Sequence, residues 1–370
     1  MSRILVIGGC GAFGARVSKR LVREPNLEVI VAGRRADAAA AYAAELARMA
    51  RSKVSHAVLD AVSAAPEDIG ALRASVLINA SGPFQAQSYG LARACIGAGC
   101  HYIDLADARA FVTGITQLDA EARAAGVSVV SGASSVPGLS SAVIEAHAGE
   151  LKRLDAVDIG ISPGNSFDPG VATTASILSG IGKPYGVFSD GRQQTVYGWQ
   201  GLRRHRFPQV GARWMSNVDV PDLDLLPARY LRLKTVRFNA GVEVWMFHLA
   251  LWGLSWLVRA GLVRDPAALA PHLLGAKRRL RFLGSDQGGM SVTLYGRDAQ
   301  NEPRTIEWTL IARAGDGPYV PAMPSVILAK RLAAGTGSAP GARPCLALFT
   351  LPDFEAEVSD LDIAFRVHRR

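Results

Sequence analysis

Ile4-Leu5-Val6-Ile7-Gly8-Gly9-Cys10-Gly11-Ala12-Phe13-Gly14 decides the fold of this chain. Four apolar residues, three of them β-branched, suit a parallel strand covered on both faces. They run straight into a glycine-rich turn, and the stretch to Val22 reads as the helix that follows. Gly9, Gly11 and Gly14 have the G-x-G-x-x-G spacing of a dinucleotide loop. In such a loop the first glycine makes the turn, the second admits a pyrophosphate, and the third lets helix and strand pack closely. Gly8, Ala12 and Phe13 lie in the same loop, whose backbone N–H groups at the helix start suit an anion.

Working outward, Glu28 to Ala32 is the next strand and ends at Gly33-Arg34-Arg35. An NAD enzyme places an acid about twenty residues beyond the loop, on the ribose 2′-hydroxyl. Arg34 stands there instead, with Arg35 beside it. Two guanidinium groups suit a 2′-phosphate, so NADP(H) is favoured over NAD(H), unless the pair is simply a solvated loop. Helices over 36–50, 66–72 and 89–98 alternate with strands over 55–59, 75–79, 101–105 and 127–131. Six strands with intervening helices predict an α/β Rossmann domain, doubly wound around a parallel sheet. Asn79-Ala80-Ser81-Gly82-Pro83-Phe84 leaves the fourth strand at its carboxyl end, where ligands sit in such sheets. Asn79, Ser81, Gly82 and Pro83 are therefore expected beside the nicotinamide and its ribose.

Beyond Gly132 a serine-rich junction, Ser134 to Ser141, reads as a hinge leading into a second, α+β domain. Strands are expected over 155–162, 195–199, 235–238, 289–295 and 305–312. The boundaries are drawn at 1–133 for the nucleotide domain and 134–322 for the substrate and dimerisation domain. The helix near 323–334 is expected to return to the first domain, with 335–370 as a closing segment. Residues 242–263 carry Trp245, Trp252 and Trp256 at helical spacing, which suits a buried core, a dimer interface, the wall of an apolar pocket or a membrane contact. The uninterrupted apolar run is shorter than the roughly 20 residues that span a bilayer, so no integral membrane segment is expected.

The charge excludes one class of partner. The chain of 370 residues carries 41 Lys and Arg against 32 Asp and Glu, a net +9. The excess is spread evenly along the chain with no basic tail, so nucleic acid is not expected. Local clusters at Arg203, Arg204, His205, Arg206 and at Lys277, Arg278, Arg279, Arg281 are solvated faces or an anion site. Cys10, Cys95, Cys100 and Cys345 form no ligand pattern, so no metal is expected. With no leader legible at Met1-Ser2-Arg3, free thiols in the cytoplasm are expected.

Chemistry needs a proton donor or acceptor and a group to hold the substrate near the cofactor. Tyr102 and Asp104 are two apart on a strand and share a face; Asp107 and Arg109 follow in the loop. These four are the catalytic candidates, with Arg109 suited to a substrate carboxylate. Each also has a plain structural role open to it: a core tyrosine, a turn cap, a surface ion pair.

The loop Gly8 to Gly14, the segment Asn79 to Phe84 and the run Ala94-Cys95-Ile96-Gly97-Ala98-Gly99-Cys100-His101-Tyr102-Ile103-Asp104-Leu105 together resemble the saccharopine dehydrogenase family, in its NADP-binding, reductase-like branch. The resemblance implies a nicotinamide domain joined to a dimerising substrate domain, hence a homodimer. It also implies hydride transfer to or from a C=O or C=N centre of a small amino- or oxo-acid substrate. Relatives carry a glutamate where this chain has Ala108, and two aspartates where it reads Gly132 to Leu139. Those departures leave two other functions open: a nucleotide-binding sensor without chemistry, and a reductase for an apolar, lipid-like substrate.

Overall fold

The computed structural model describes residues 1–85 and 87–370. The chain forms two compact units: Met1–Leu139 with Pro318–Glu357, and Ser140–Gly317 with Val358–Arg370.

The first unit alternates strands and helices: β1 (Ser2–Ile7), α1 (Gly14–Leu21), β2 (Leu27–Gly33), α2 (Ala36–Ala47), β3 (Lys53–Val58), α3 (Pro66–Leu72), β4 (Val76–Asn79), α4 (Gly90–Gly97), β5 (His101–Asp104), α5 (Arg109–Gly114), α6 (Asp119–Ala124) and β6 (Ser128–Ser131). The central strands are buried on both faces, as their uninterrupted apolar runs require. α1 shows the complementary helical pattern: Gly14, Val17, Ser18 and Leu21 are its buried stripe.

The second unit comprises α7 (Ser140–Ala148), β7 (Arg153–Ser162), α8 (Gly170–Ser179), β8 (Pro184–Ser189), β9 (Arg192–Tyr197), β10 (Arg203–Phe207), β11 (Gly211–Asn217), α9 (Asp222–Arg229), β12 (Thr235–Ala240), α10 (Trp245–Arg259), α11 (Ala270–Arg279), β13 (Gly288–Arg297) and β14 (Pro303–Ala312). The chain then returns to the first unit with α12 (Met323–Ala333), β15 (Gly341–Pro344) and α13 (Leu351–Glu357), and ends on β16 (Ile363–Arg369) in the second.

The first sheet runs β15-β6-β5-β4-β1-β2-β3, every pair parallel. It is the expected doubly wound sheet with one strand more than the six read from sequence. The seventh, β15, comes from Gly341–Pro344, too short and too rich in turn residues to register as a strand. The segment 335–370 is accordingly divided, β15 extending one sheet and β16 pairing with β14 in the other. The first unit ends at Leu139 instead of residue 133, and 318–322 belong to it as well.

The second sheet is mixed, in the order β10-β11-β12-β7-β13-β14-β16. Its registers place Val157 and Ile159 beside Val236 and Phe238 on one side and Leu294 and Val292 on the other, continuing to Ile306 and Trp308. These residues share one face and are buried. Asp158 is flanked by Arg237 and Thr293 on the opposite, polar face. Arg203-Arg204-His205-Arg206 is strand β10. Its side chains are engaged locally: Arg203 pairs with Asp158 at 3.6 Å, and Arg204 lies over the Trp214 ring.

The returning segment is tied to α1 by charge as well as by packing. α12 is buried along most of its length and lies against β1, β4 and β5. Arg20 of α1 pairs with Glu357 of α13 at 2.6 Å, both side chains about nine-tenths buried. Lys330 joins Glu357 at 2.8 Å and Glu24 at 2.6 Å. Removing one partner of a buried pair strands the other. Glu357→Ala is expected to destabilise the protein by about 3 kcal/mol, read as a lower urea midpoint, whereas Lys19→Ala, in an exposed pair with Glu45, should leave the midpoint unmoved.

Candidate functional site

The site is built at the carboxyl ends of β1, β2, β4 and β5. From β1 the chain winds to β2 and β3 on one side, then crosses to β4 on the other. That reversal opens a crevice between the β1 and β4 loops, the usual ligand position in such sheets.

The β1 loop shows why glycine is required. The left-handed residue is Gly8, at φ +73°, one position before the glycine that the spacing suggested for the turn. A methyl group at Gly8 would stand 3.0 Å from the Ala80 carbonyl of the β4 loop, so the two loops touch there. A methyl at Gly14 would collide with the Gly8 carbonyl oxygen, which fulfils the close-packing role expected of the third glycine. Gly11 donates its N–H to Gly8 O at 2.8 Å and closes the turn. α1 then starts with no side chain capping it and no acid in its first turn. Its positive end is left for an external anion, and Gly11, Ala12 and Phe13 lie at that end.

Arg34 and Arg35 follow β2 and are exposed. Arg35 precedes α2 and lies near the glycine loop: burial pushes the Cys10 thiol up, and the Arg35 charge pulls it partly back. The residues present therefore fit a dinucleotide, with a glycine cradle at the pyrophosphate position and cations at the end of β2.

The β4 loop is held from beneath. Asn79, buried, accepts hydrogen bonds through Oδ1 from Ser81 N at 3.0 Å and Ser81 Oγ at 2.5 Å. Its Nδ2 donates to the Tyr102 hydroxyl at 3.2 Å. Gln87 Nε2 donates to the carbonyls of Ser81 (2.6 Å) and Pro83 (3.1 Å), clamping the loop around Gly82. Gln87 was not legible as a site residue, because a glutamine in a polar loop carries no spacing signal.

Tyr102 and Asp104 do share a face of β5, but both are buried, at 1% and 0% exposure. Burial raises the Tyr102 phenol well above its ordinary range, and the Asp104 charge adds to it. Asp104 Oδ1 accepts from Gly132 N at 2.8 Å, Ser131 Oγ at 2.9 Å and Ala106 N at 3.0 Å. Oδ2 is buried with no hydrogen-bond partner. Burial pushes the carboxyl up to about 6 despite those three bonds. Asp107 is exposed, with Gln85 Nε2 3.5 Å from Oδ1, and Arg109 opens α5, half-buried. The four candidates thus divide into two inside the domain and two at its surface. Ser131 and Gly132, which complete the Asp104 site, lie 27 and 28 residues away in sequence, beyond any local pattern.

Asn165, Asp168, His205 and His248 of the second unit are engaged within that unit, although His205 Nε2 and His248 Nδ1 are buried without a hydrogen-bond partner. Asn165 donates its N–H to Glu243 at 2.6 Å and its Nδ2 to Leu280 O at 3.1 Å. Asp168 pairs with Arg278 at 2.7 Å, and the His205 ring packs edge-on against Phe207 at 4.5 Å. His248 is buried, 3.0 Å from Ser216 Oγ. Among the described residues no cluster of His, Cys, Asp or Glu could hold a metal ion.

The family comparison agrees with this geometry. Residues 4–130 match the family of the saccharopine dehydrogenase NADP binding domain. That match covers about a third of the chain, all of it in the first unit. That family comprises NAD(P)-dependent oxidoreductases. The whole fold is similar to that of apo saccharopine dehydrogenase (L-Glu forming) from Saccharomyces cerevisiae, with a TM-score of 0.71, all of both chains covered and 12% identity. Weaker likenesses are to GenD2 of gentamicin A biosynthesis in complex with NAD (TM-score 0.39, 12% identity, 83% of this chain and 72% of that one) and to a short-chain dehydrogenase from Mycobacterium smegmatis (0.28, 16%, 35% and 74%). No curated protein matches by sequence.

Asp104 yields a pH prediction. Its carboxyl binds a proton more tightly in the folded state (about 6) than in the unfolded chain (about 4). Its contribution to stability is therefore greatest below the unfolded value and is lost as pH rises through 6. Asp104→Asn keeps an acceptor at Oδ1 and removes the charge. The stability of the variant relative to the native protein should improve by about 2 kcal/mol between pH 4 and pH 8, measured by urea unfolding. A difference that stays constant across that range would contradict the buried-charge account.

Proposed function

We propose that this protein is an NADP(H)-dependent oxidoreductase that transfers hydride to or from a C=O or C=N centre of a small amino- or oxo-acid substrate. The reading is carried by one observation: the Gly8–Gly14 and Asn79–Pro83 loops meet at the reversal point of the parallel sheet, with Arg34 and Arg35 at the end of the neighbouring strand. The nicotinamide, when bound, supplies the hydride chemistry. Gly8, Gly9, Gly11, Ala12, Phe13 and Gly14 receive the pyrophosphate at the start of α1. Arg34 and Arg35 hold the 2′-phosphate, and no carboxylate occupies the Arg34 position to select the 2′-hydroxyl instead.

Asn79, Ser81, Gly82 and Pro83 form the wall beside the nicotinamide ribose. Tyr102 and Asp104 are positioning residues in this scheme: Tyr102 accepts from Asn79, and Asp104 fixes the turn after β6. Contact with substrate falls to Asp107 and Arg109, a carboxylate for a substrate ammonium and a guanidinium for a carboxylate. Pairing of two copies through the second unit rests on the family resemblance.

The burial of Tyr102 and Asp104 favours one other reading, a nucleotide-binding sensor without turnover. Oxidation of NADPH in the presence of an oxo-acid and an amine supports the enzyme. Tight NADPH binding with no turnover across a broad panel supports the sensor.

Cofactor choice is tested by fluorescence titration. Arg34→Ser with Arg35→Ser is expected to weaken NADPH binding about 10- to 100-fold and to leave NADH affinity nearly unchanged. An equal loss for both nucleotides would overturn the 2′-phosphate assignment.

A further inference from the structure

α10 has an apolar face that the described residues leave largely exposed. Its inner side is satisfied: His248 and Ser255 are buried, and Leu251, Leu254 and Val258 pack against Leu178, Ile181, Trp199 and Ala270. Its other side continues apolar, with Trp245 58% exposed, Trp256 46% exposed, and Met246 and Leu257 beside them at helical spacing. A globular helix ordinarily turns charged residues outward; here Arg259 is the only charged residue in fifteen.

The exposed apolar surface extends beyond the helix. Glu243, just before α10, accepts from the backbone N–H groups of Asn165 (2.6 Å) and Ser285 (2.8 Å), and Asn165 in turn holds Leu280 O. That knot brings the start of α10 to the end of α11, where Phe282 is 76% exposed and Leu283 is also exposed. Eight of the seventeen exposed large apolar side chains among the described residues fall between Trp245 and Leu283, about a tenth of the chain. The Glu243 knot brings Trp245 and Met246 at the head of α10 toward Phe282 and Leu283, and exposed apolar residues grouped in this way mark an interaction surface where single scattered ones do not.

Charge selects the occupant. The same stretch carries Arg259, Arg264, Lys277, Arg278, Arg279 and Arg281 against the single Asp265. Arg264, Arg279 and Arg281 are exposed; Arg278 is paired with Asp168, and Arg259 stacks on Tyr197 at 3.8 Å and reaches toward Trp256. A second copy docking by a two-fold axis would set this basic surface against itself. An anionic lipid surface is complementary to both components, taking tryptophan, phenylalanine and leucine into the headgroup boundary and arginine at the phosphates. A helix of fifteen residues is about 22 Å long, short of the roughly 30 Å of hydrocarbon. It would lie on the bilayer and not cross it, and no helix among the described residues is long and apolar enough to span one.

We propose that the α10–α11 lobe is a peripheral docking surface for anionic membranes. The proposal goes beyond the oxidoreductase reading and is independent of it, because the assay reads binding and not turnover. The full-length protein is sedimented with vesicles of phosphatidylglycerol and phosphatidylcholine in equal parts, and with vesicles of phosphatidylcholine alone. It is expected to pellet with the first, remain in solution with the second, and be released in about 1 M salt, where the Debye length falls to about 3 Å. Tryptophan emission should shift to the blue on binding. Trp256→Asp with Leu257→Asp, and separately Arg279→Glu with Arg281→Glu, should each reduce partitioning about tenfold or more, with circular dichroism confirming that both variants fold. Native protein that stays in solution with anionic vesicles overturns the proposal, as do folded variants that bind as well as the native chain. So does a native dimer that Trp256→Asp with Leu257→Asp converts to monomer, which would assign the face to a second copy.

Discussion

The first unit depends on one close approach, the Cα of Gly14 against the carbonyl of Gly8. Any side chain at Gly14 would push α1 off the end of β1 and move the helix terminus away from its ligand position. The constraint propagates in two directions. Gly8 itself abuts Ala80 and Ser81, so displacing the β1 loop would displace the β4 loop. α1 carries Arg20, which anchors Glu357 and with it the returning C-terminal segment. A single backbone contact thus sets both halves of the crevice and the packing behind it.

A second layer of order comes from buried polar groups. Asn79 spends both ends of its amide locally, one on Ser81 and one on Tyr102. Asp104 accepts two backbone N–H groups and a hydroxyl, yet burial still dominates and holds its carboxyl near 6. Three hydrogen bonds at ordinary lengths do not outweigh complete desolvation of a carboxylate whose other oxygen has no partner. Asp222 in the second unit repeats the pattern, with Ser140 Oγ 2.5 Å from Oδ1, a bare Oδ2 and a carboxyl pushed up to about 7. Such groups fix geometry at a cost in stability, which accounts for their placement at turns that must be held.

The first unit was legible because its signals are local. A β-branched run, a glycine loop and a helix start sit within eighteen residues, and the helix at 66–72 lies where it was read. What escaped detection depends on partners far along the chain. β15 becomes a strand only because β6 offers an edge more than two hundred residues earlier. β10 looks like a basic cluster because Asp158 and Trp214, the partners of Arg203 and Arg204, come beside them only in the fold. The same distance effect hid the burial of Tyr102 and Asp104: period-two spacing shows that two residues share a face and says nothing of what covers it.

The tryptophans of α10 show that limit from the other side. Helical spacing of seven and four predicts one face, and the fold places Trp256 outward while Leu251, Leu254 and Val258 pack inward. Apolar residues all around a helix ordinarily imply burial on every side. Here the inward side alone supplies the packing, so the outward side is not needed to hold the lobe together. The six Lys and Arg residues of the lobe likewise concentrate positive charge, offset by Asp265 in the same stretch and by Asp168, which pairs with Arg278. A surface that gives up solvation on its apolar part and concentrates like charge around it gains nothing for an isolated monomer. It gains on both counts against a partner that is apolar below and anionic above, which is the layering of a lipid interface.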